Sequence, residues 1–225
     1  MQHIVLAGDS IFDNQSYVNI GEPDVITQLT EKLKGKAICT LLAIDGDITS
    51  GVVEQLTHLP KDATDLIISV GGNDGLGAMQ IFDVPVKTIG NALLRIHSLR
   101  KEFEQDYTLM VKQALQTGLS VTLCTIYYPQ FHAQALDRVN SFTTNSDGEA
   151  IQASVMSALA VYNDVILKIA AENHLDVIDL RTICNEVTDF ANPIEPSMIG
   201  GNKITEVITQ KFTKKGGKSS RMCLY

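Results

Sequence analysis

Four clusters of small and polar residues carry the side chains that could perform chemistry. Three follow short apolar runs and the fourth precedes the last helical segment: Gly8-Asp9-Ser10, Asp45-Gly46-Asp47, Gly71-Gly72-Asn73-Asp74 and Asn192-Pro193-Ile194-Glu195-Pro196-Ser197. A serine nucleophile needs two or three N–H donors aimed at the point where the oxyanion develops. Ser10 is the candidate nucleophile, with the backbone N–H of Gly46 and the amide of Asn73 as candidate donors.

The elements that must position these clusters are five apolar runs that alternate with helical segments. The predicted strands cover 3–7, 37–44, 66–70, 119–126 and 175–178, and the main helices cover 23–33, 86–117, 149–173 and 200–212. This alternation predicts a parallel sheet covered on both faces, in which ligands bind at the carboxyl ends of the strands. In the 86–117 segment, one apolar stripe runs through Ile89, Leu93, Ile96, Phe103, Tyr107, Met110 and Ala114.

Composition sets limits on the class of protein. The 225 residues suffice for one α/β core, which we assign to 1–213. The net charge of −8 argues against a nucleic-acid partner. The sequence contains no apolar run of about 20 residues, so we predict that no segment spans a membrane. The remaining segment, 214–225, carries only basic charges and is predicted to be a disordered tail.

The four cysteines, Cys39, Cys124, Cys184 and Cys223, are widely spaced, and none forms a Cys-x-x-Cys pair. This spacing predicts free thiols of a reducing compartment and no metal site. The N-terminus lacks the charged start and long apolar core of a secretion signal. Together these features predict a cytoplasmic protein.

The clusters resemble the sequence blocks of the SGNH hydrolases, the superfamily of GDSL esterases and lipases. Block I is matched by Gly8-Asp9-Ser10 after an apolar strand, block II by Gly46, and block III by the stretch from Val70 to Leu76. The resemblance implies a flavodoxin-like three-layer α/β/α fold and ester hydrolysis without metal or organic cofactor. It also implies that Ser10 is the nucleophile and that the oxyanion hole consists of the Ser10 and Gly46 N–H groups and the Asn73 side chain.

The chain departs from the family at block V, where the family has Asp-x-x-His. Here Asn192 stands in place of the aspartate and Glu195 in place of the histidine. None of the five histidines lies in this frame, although His132 in the 127–148 loop is a possible substitute base. An asparagine amide can donate a hydrogen bond to a glutamate, whereas an aspartate would repel it. We therefore predict that Glu195 is the base and that Asn192 orients its carboxylate.

The predicted reaction is hydrolysis of a small ester, or of an acyl ester or thioester, with the 127–148 loop shaping the choice of substrate. Asp9 is expected to support the nucleophile turn, and Asp74 to brace the loop that carries Asn73. The alternative is a ligand-binding protein of SGNH fold whose site is weak or inactive.

A further alternative, a magnesium-dependent phosphatase, is suggested by Asp45-Gly46-Asp47-Ile48-Thr49, because it fits Asp-x-Asp-x-Thr. That motif follows the second predicted strand rather than the first, and no paired acids follow a later one. Acids of the last loop, including Asp189, are expected to be solvated.

Overall fold

The computed structural model describes residues 1–131 and 148–213, and five parallel strands form one sheet. The strands are β1 (Gln2–Gly8), β2 (Ala37–Leu41), β3 (Asp65–Ser69), β4 (Ser120–Cys124) and β5 (Asp176–Ile178). They lie in the order β2-β1-β3-β4-β5, with every neighbouring pair parallel. This arrangement confirms the predicted flavodoxin-like topology, and it places the ends of β1 and β3 side by side at the centre of the sheet.

The helices cover both faces of the sheet. They are α1 (Val25–Lys32), α2 (Val52–Gln55), α3 (Gly72–Gly77), α4 (Ile89–Gln116), α5 (Gly148–Glu172) and α6 (Met198–Thr213). Alternate residues of β1 point to opposite faces, as a strand requires. Ile4 and Leu6 pack against α1 and α6, whereas Val5 and Ala7 pack against α2, α4 and α5. The protein is therefore a three-layer sandwich with an apolar core on each side.

Two helices differ from the sequence prediction. Helix α4 is a single helix, and its buried residues begin only at Phe103, so Ile89 and Leu93 at the start of the apolar stripe are exposed. Helix α5 is long and apolar enough to cross a membrane by composition, contrary to the predicted absence of such a segment. Nine of its residues are buried in the protein, and core packing accounts for much of that apolar character.

The cysteines of the described ranges, Cys39, Cys124 and Cys184, are free thiols. Burial raises the pKa of Cys184 to about 12, so this thiol stays protonated. The predicted basic tail, 214–225, and most of the 127–148 loop, including His132, lie outside the described residues.

Candidate active site

The nucleophile candidate Ser10 lies in a tight turn at the end of β1. The backbone oxygen of Asp9 accepts hydrogen bonds from the N–H groups of Phe12 and Asp13, each at 3.1 Å, and its side chain accepts one from Ile11 at 3.1 Å. These bonds close one helical turn and hold Ser10 at its start. Ser10 is nearly buried but lines a cavity. No described residue accepts a hydrogen bond from its backbone N–H, which leaves that donor available to a ligand.

The strand end before Ser10 is fixed by two contacts that sequence reasoning missed. The buried Gln55 side chain accepts from the N–H of Gly8 and donates to its carbonyl oxygen, both at 2.8 Å. Gly8 has φ 131°, and a Cβ there would lie 1.8 Å from the carbonyl oxygen of Ser69. Only glycine fits such a close approach of β1 to β3.

Glu195 is brought to Ser10 by the loop before α6. The loop is held by Tyr127, whose hydroxyl donates to the carbonyl oxygen of Ile194 at 2.6 Å, and by the buried Asn14, which donates to that of Pro196 at 3.1 Å. Glu195 is 5% exposed and lines the same cavity as Ser10. Its Oε2 atom is buried without a hydrogen-bond partner among the described residues. The position fits a carboxyl that exchanges a proton.

Burial raises the pKa of Glu195 to about 7. The Ser10 side chain, a hydrogen-bonding neighbour of the carboxylate, lowers the pKa and partly offsets burial, and the charge of Asp45 raises it further. Burial also raises the pKa values of Asp9 and Asp74, and the charges of Glu195 and Asp74 add to the rise at Asp9. The site therefore contains three carboxyl groups, those of Asp9, Asp74 and Glu195, whose pKa values burial raises.

The raised pKa of Glu195 makes the stability of the protein depend on pH. The folded state holds this proton more tightly than the unfolded chain, so the stabilisation is complete below about pH 4.5 and is lost as the pH rises through about 7. Glu195→Gln cannot ionise, and we expect it to exceed the wild-type free energy of unfolding by up to about 3 kcal/mol near pH 8. The gain should be much smaller near pH 5. Urea denaturation at both pH values measures it.

The exposed Glu102 offers the matched control for this prediction. Glu102→Gln should leave the stability within about 0.5 kcal/mol of wild type at both pH values. A Glu195→Gln effect of the same size near pH 5 and pH 8 would contradict the raised pKa.

Asn192 holds Glu195 in a way that differs from the prediction. Its Oδ1 atom accepts hydrogen bonds from the backbone N–H groups of Ile194 at 3.0 Å and of Glu195 at 3.1 Å. Among the described residues, its amide donates no hydrogen bond to the Glu195 carboxylate, so the predicted orienting bond is wrong. Asn192 instead fixes the backbone of the turn, as asparagine commonly does in Asx turns.

The three predicted oxyanion donors do not all lie at the cavity. Asn73 lines it, and one N–H of its amide donates to the carbonyl oxygen of Asp47 at 2.8 Å, which leaves the second N–H for a ligand. Gly46 has φ 82°, is exposed, and lies outside the cavity lining. Of the three residues predicted to supply oxyanion donors, Ser10 and Asn73 therefore line the cavity and Gly46 does not. Asp74, next to Asn73, accepts a hydrogen bond from the N–H of Thr49 at 3.0 Å.

The cavity that contains Ser10 and Glu195 is mostly apolar. Its volume is about 960 Å³ including the part open to solvent. Polar groups lie at one part of the lining, and aliphatic and aromatic side chains from α3, α5 and the flanking loops form much of the rest: Leu76, Met79, Phe82, Val155, Leu159 and Ile194. Ligand sites commonly combine such an apolar wall with a few polar groups that fix orientation.

The Asp45-to-Thr49 segment has structural partners in the fold. The Asp45 carboxylate accepts from the Tyr17 hydroxyl at 2.9 Å, and Asp47 accepts from Gln55 at 2.6 Å. Within residues 1–131 and 148–213, no group of three or more histidine, cysteine, aspartate or glutamate residues is placed to hold a metal ion. The segment therefore lacks the carboxylate cluster that the phosphatase alternative requires.

Comparison with known proteins identifies the fold. No protein-family sequence profile matches the chain, and no curated protein sequence matches it significantly. Among solved structures, the lipase Lip_vut3 from a goat rumen metagenome has a TM-score of 0.66 at 16% identity, covering 92% of this chain and 96% of that one. An acetyl xylan esterase, AlAXEase, has a TM-score of 0.62 at 18% identity, covering 93% and 98%.

An extracellular lipase from Streptomyces rimosus gives the same result, with a TM-score of 0.61 at 18% identity and coverage of 95% and 100%. A protein of the G-D-S-L family from Desulfitobacterium hafniense has a TM-score of 0.62 at 14% identity, covering 93% and 99%. The chain thus has the fold of the SGNH hydrolases, which confirms the predicted fold. Three of these four neighbours are named as esterases or lipases.

Proposed function

We propose that the chain is a serine ester hydrolase in which Ser10 is the nucleophile and Glu195 is the general base. One observation supports this assignment above the others. The Ser10 side chain neighbours a buried carboxyl whose pKa is about 7, at the wall of an apolar cavity. A base is most effective when its pKa lies near the working pH, and an ordinary glutamate would be too weak.

The proposed acylation begins when the Ser10 Oγ–H bond breaks and its proton moves to a carboxylate oxygen of Glu195. Oγ then bonds to the carbonyl carbon, and the carbonyl electron pair moves to the oxygen, where the Ser10 N–H and Asn73 amide donate to it. The ester C–O bond breaks next, and Glu195 returns the proton to the leaving alkoxide. A water molecule hydrolyses the acyl-enzyme by the same steps and regenerates Ser10.

A glutamate base changes the charge balance of the site. Proton transfer neutralises Glu195 as negative charge appears on the substrate oxygen, so the net charge of the site stays the same before and during the reaction. Burial raises the pKa values of Asp9 and Asp74, and the charge of Glu195 adds to the rise at Asp9.

The substrate class that best fits this cavity is an ester or thioester of an aliphatic acyl chain. Acetylated sugars would place polar hydroxyls against the side chains of Leu76, Phe82 and Leu159, where those groups would lack hydrogen-bond partners. A saturated chain would instead gain about 0.8 kcal/mol for each buried methylene. Esters of longer chains should therefore react faster than acetate esters until the cavity is full.

Filling the cavity should shift this preference. Ala158 lines the cavity on α5, and we expect Ala158→Leu to lower the octanoate-to-acetate ratio of kcat/KM by about tenfold, because overpacking costs about 1–3 kcal/mol. Steady-state kinetics with p-nitrophenyl esters measures the ratio. Ala160→Leu is the matched control, because Ala160 is exposed on the same helix. Equal ratios in wild type and Ala158→Leu would contradict the assignment of the acyl site.

A second candidate function is ligand binding without turnover. The exposed position of Gly46 favours it, because the third predicted oxyanion donor lies outside the cavity. A binding protein would retain an octanoate or a similar amphiphile in the cavity and would release no p-nitrophenol above the Ser10→Ala background. The rate of p-nitrophenol release by wild type, compared with that of Ser10→Ala, separates the two functions.

A further inference from the structure

The first turns of α4 and the five residues before them form an apolar surface that the described parts of the protein, 1–131 and 148–213, leave uncovered. We call residues 84–101 the α4 tip. Its large hydrophobic side chains face solvent, with exposed fractions of 81% for Ile89, 63% for Leu93 and 65% for Leu94. Burial in α4 begins only at Phe103. A cluster of exposed leucine and isoleucine side chains marks a contact surface rather than ordinary surface scatter.

The charge of the α4 tip is opposite to that of the whole chain. It contains four basic residues and no acidic ones, in a protein of net charge −8, and the exposed acids Asp83 and Glu102 lie directly outside its two ends. Arg100 is paired with Glu104 at 2.6 Å and with Asp164 at 3.3 Å. Lys87, Arg95 and Lys101 form no ion pair within the described parts of the chain. Three cations without an ion pair among the described residues thus lie in the same segment as the exposed apolar side chains.

The α4 tip adjoins the cavity that contains Ser10. Ile96 and Leu99, which point inward from the same helix turns, belong to the cavity lining, as do Ile81 and Phe82 just before the helix. The outer side of the tip and the cavity wall are therefore two sides of one short helical segment. A surface that contacts this segment lies beside the cavity.

We propose that the α4 tip docks the protein onto an anionic lipid surface. Helices that lie at a lipid interface combine exposed leucine and isoleucine with lysine and arginine, and each cation near an anionic surface contributes binding free energy. Docking at the tip brings acyl chains to the cavity wall. Binding of the protein to a lipid surface is separate from the proposed ester hydrolysis, because it requires no turnover of a substrate.

The charge pattern disfavours two other occupants of this surface. A second copy of the chain in a twofold contact would set the same patch, with Lys87, Arg95 and Lys101, against itself and so bring like charges together. The C-terminal segment 214–225 is also basic and would be repelled. An anionic partner avoids both conflicts.

Vesicle flotation tests the proposal with the full chain and two vesicle types, an equal mixture of phosphatidylglycerol and phosphatidylcholine, and phosphatidylcholine alone. We expect binding to the anionic vesicles that weakens as salt is added. Leu93→Ser/Leu94→Ser should weaken it at least about tenfold, through lost apolar contact. Lys87→Gln and Lys101→Gln should each weaken it about fivefold.

Helix α4 supplies matched controls beyond the tip. Leu109 is 53% exposed and Lys112 is exposed, so Leu109→Ser and Lys112→Gln should bind vesicles as wild type does. Equal losses in control and tip variants would overturn the proposal, as would wild-type protein that binds neither vesicle. A dimer in analytical ultracentrifugation that Leu93→Ser/Leu94→Ser abolishes, without vesicle binding, would assign the surface to a second copy. Thermal unfolding verifies that every variant is folded.

Discussion

Ser10→Ala is expected to reduce the hydrolysis of p-nitrophenyl octanoate by about 10³-fold or more. The reason is that Ser10 lies at the end of β1 and its hydroxyl neighbours the Glu195 carboxyl, which can take its proton. No other described side chain of the cavity lining has this combination. Removing Oγ leaves binding and the Asn73 donor intact but removes the atom that forms the acyl-enzyme. The initial rate of nitrophenol release gives the ratio.

Two further results make the assignment specific to Ser10. Ser16→Ala, at an exposed position near the same turn, should retain the wild-type rate. A fluorophosphonate probe should label wild-type protein at Ser10, as peptide mass spectrometry would detect, and should leave Ser10→Ala unlabelled. Hydrolysis by Ser10→Ala at the wild-type rate would mean that another group performs the attack.

Gly8→Ala is expected to destabilise the protein by more than about 4 kcal/mol. The new Cβ would lie 1.8 Å from the carbonyl oxygen of Ser69, and β1 pairs with β3 at these two residues. Backbone rather than a flexible side chain occupies the space, so the two central strands must separate or the turn must rearrange. Urea denaturation measures the loss, and the soluble yield reports it if the variant does not fold.

Gly21 provides the control that separates crowding from backbone strain. It also has a positive φ, 89°, but no described atom lies within 4 Å of the position that a Cβ would take there. Gly21→Ala should therefore cost only about 1–2 kcal/mol, which is the cost of the left-handed conformation. Equal losses at Gly8 and Gly21 would show that the contact between β1 and β3 is not what requires glycine.

The fold could be predicted from the sequence because each strand is a short apolar run ended by glycine or polar residues. Such runs specify a buried parallel sheet by themselves, and the polar clusters after β1 and β3 must then meet at one edge. Ser10 and Asn73 do line one cavity in the structure, and this placement follows from the strand order without knowledge of loop conformation.

Most of the differences between the structure and the sequence-based prediction arise from the conformations of loops. Asp189, expected to be solvated, is fully buried and paired with Lys203 at 2.7 Å, a partner 14 residues further along the chain. The orientation of Asn192 and the exposure of Gly46 likewise depend on turns whose dihedral angles residue types do not determine. The positioning roles of Asn14 and Gln55 arise from contacts between distant segments.

Helix α4 shows that sequence periodicity alone does not predict whether an apolar helix face is buried. Apolar periodicity identified one stripe along its length, and from Phe103 onward that stripe is buried. At Ile89 and Leu93 the same stripe is exposed, because no neighbouring element of the described chain covers it there. Periodicity indicates which side of a helix is apolar, but tertiary structure decides what covers it.

The pH dependence of kcat/KM for p-nitrophenyl octanoate, with Glu195→Gln beside wild type, tests most directly whether Glu195 is the base. With a pKa of about 7, the wild-type rate should rise about tenfold per pH unit below that value and level off above it. Glu195→Gln should be slow and nearly flat across the same range. A Glu195→Gln profile that keeps the wild-type midpoint, or wild-type rates equal to those of Ser10→Ala at every pH, would contradict the account.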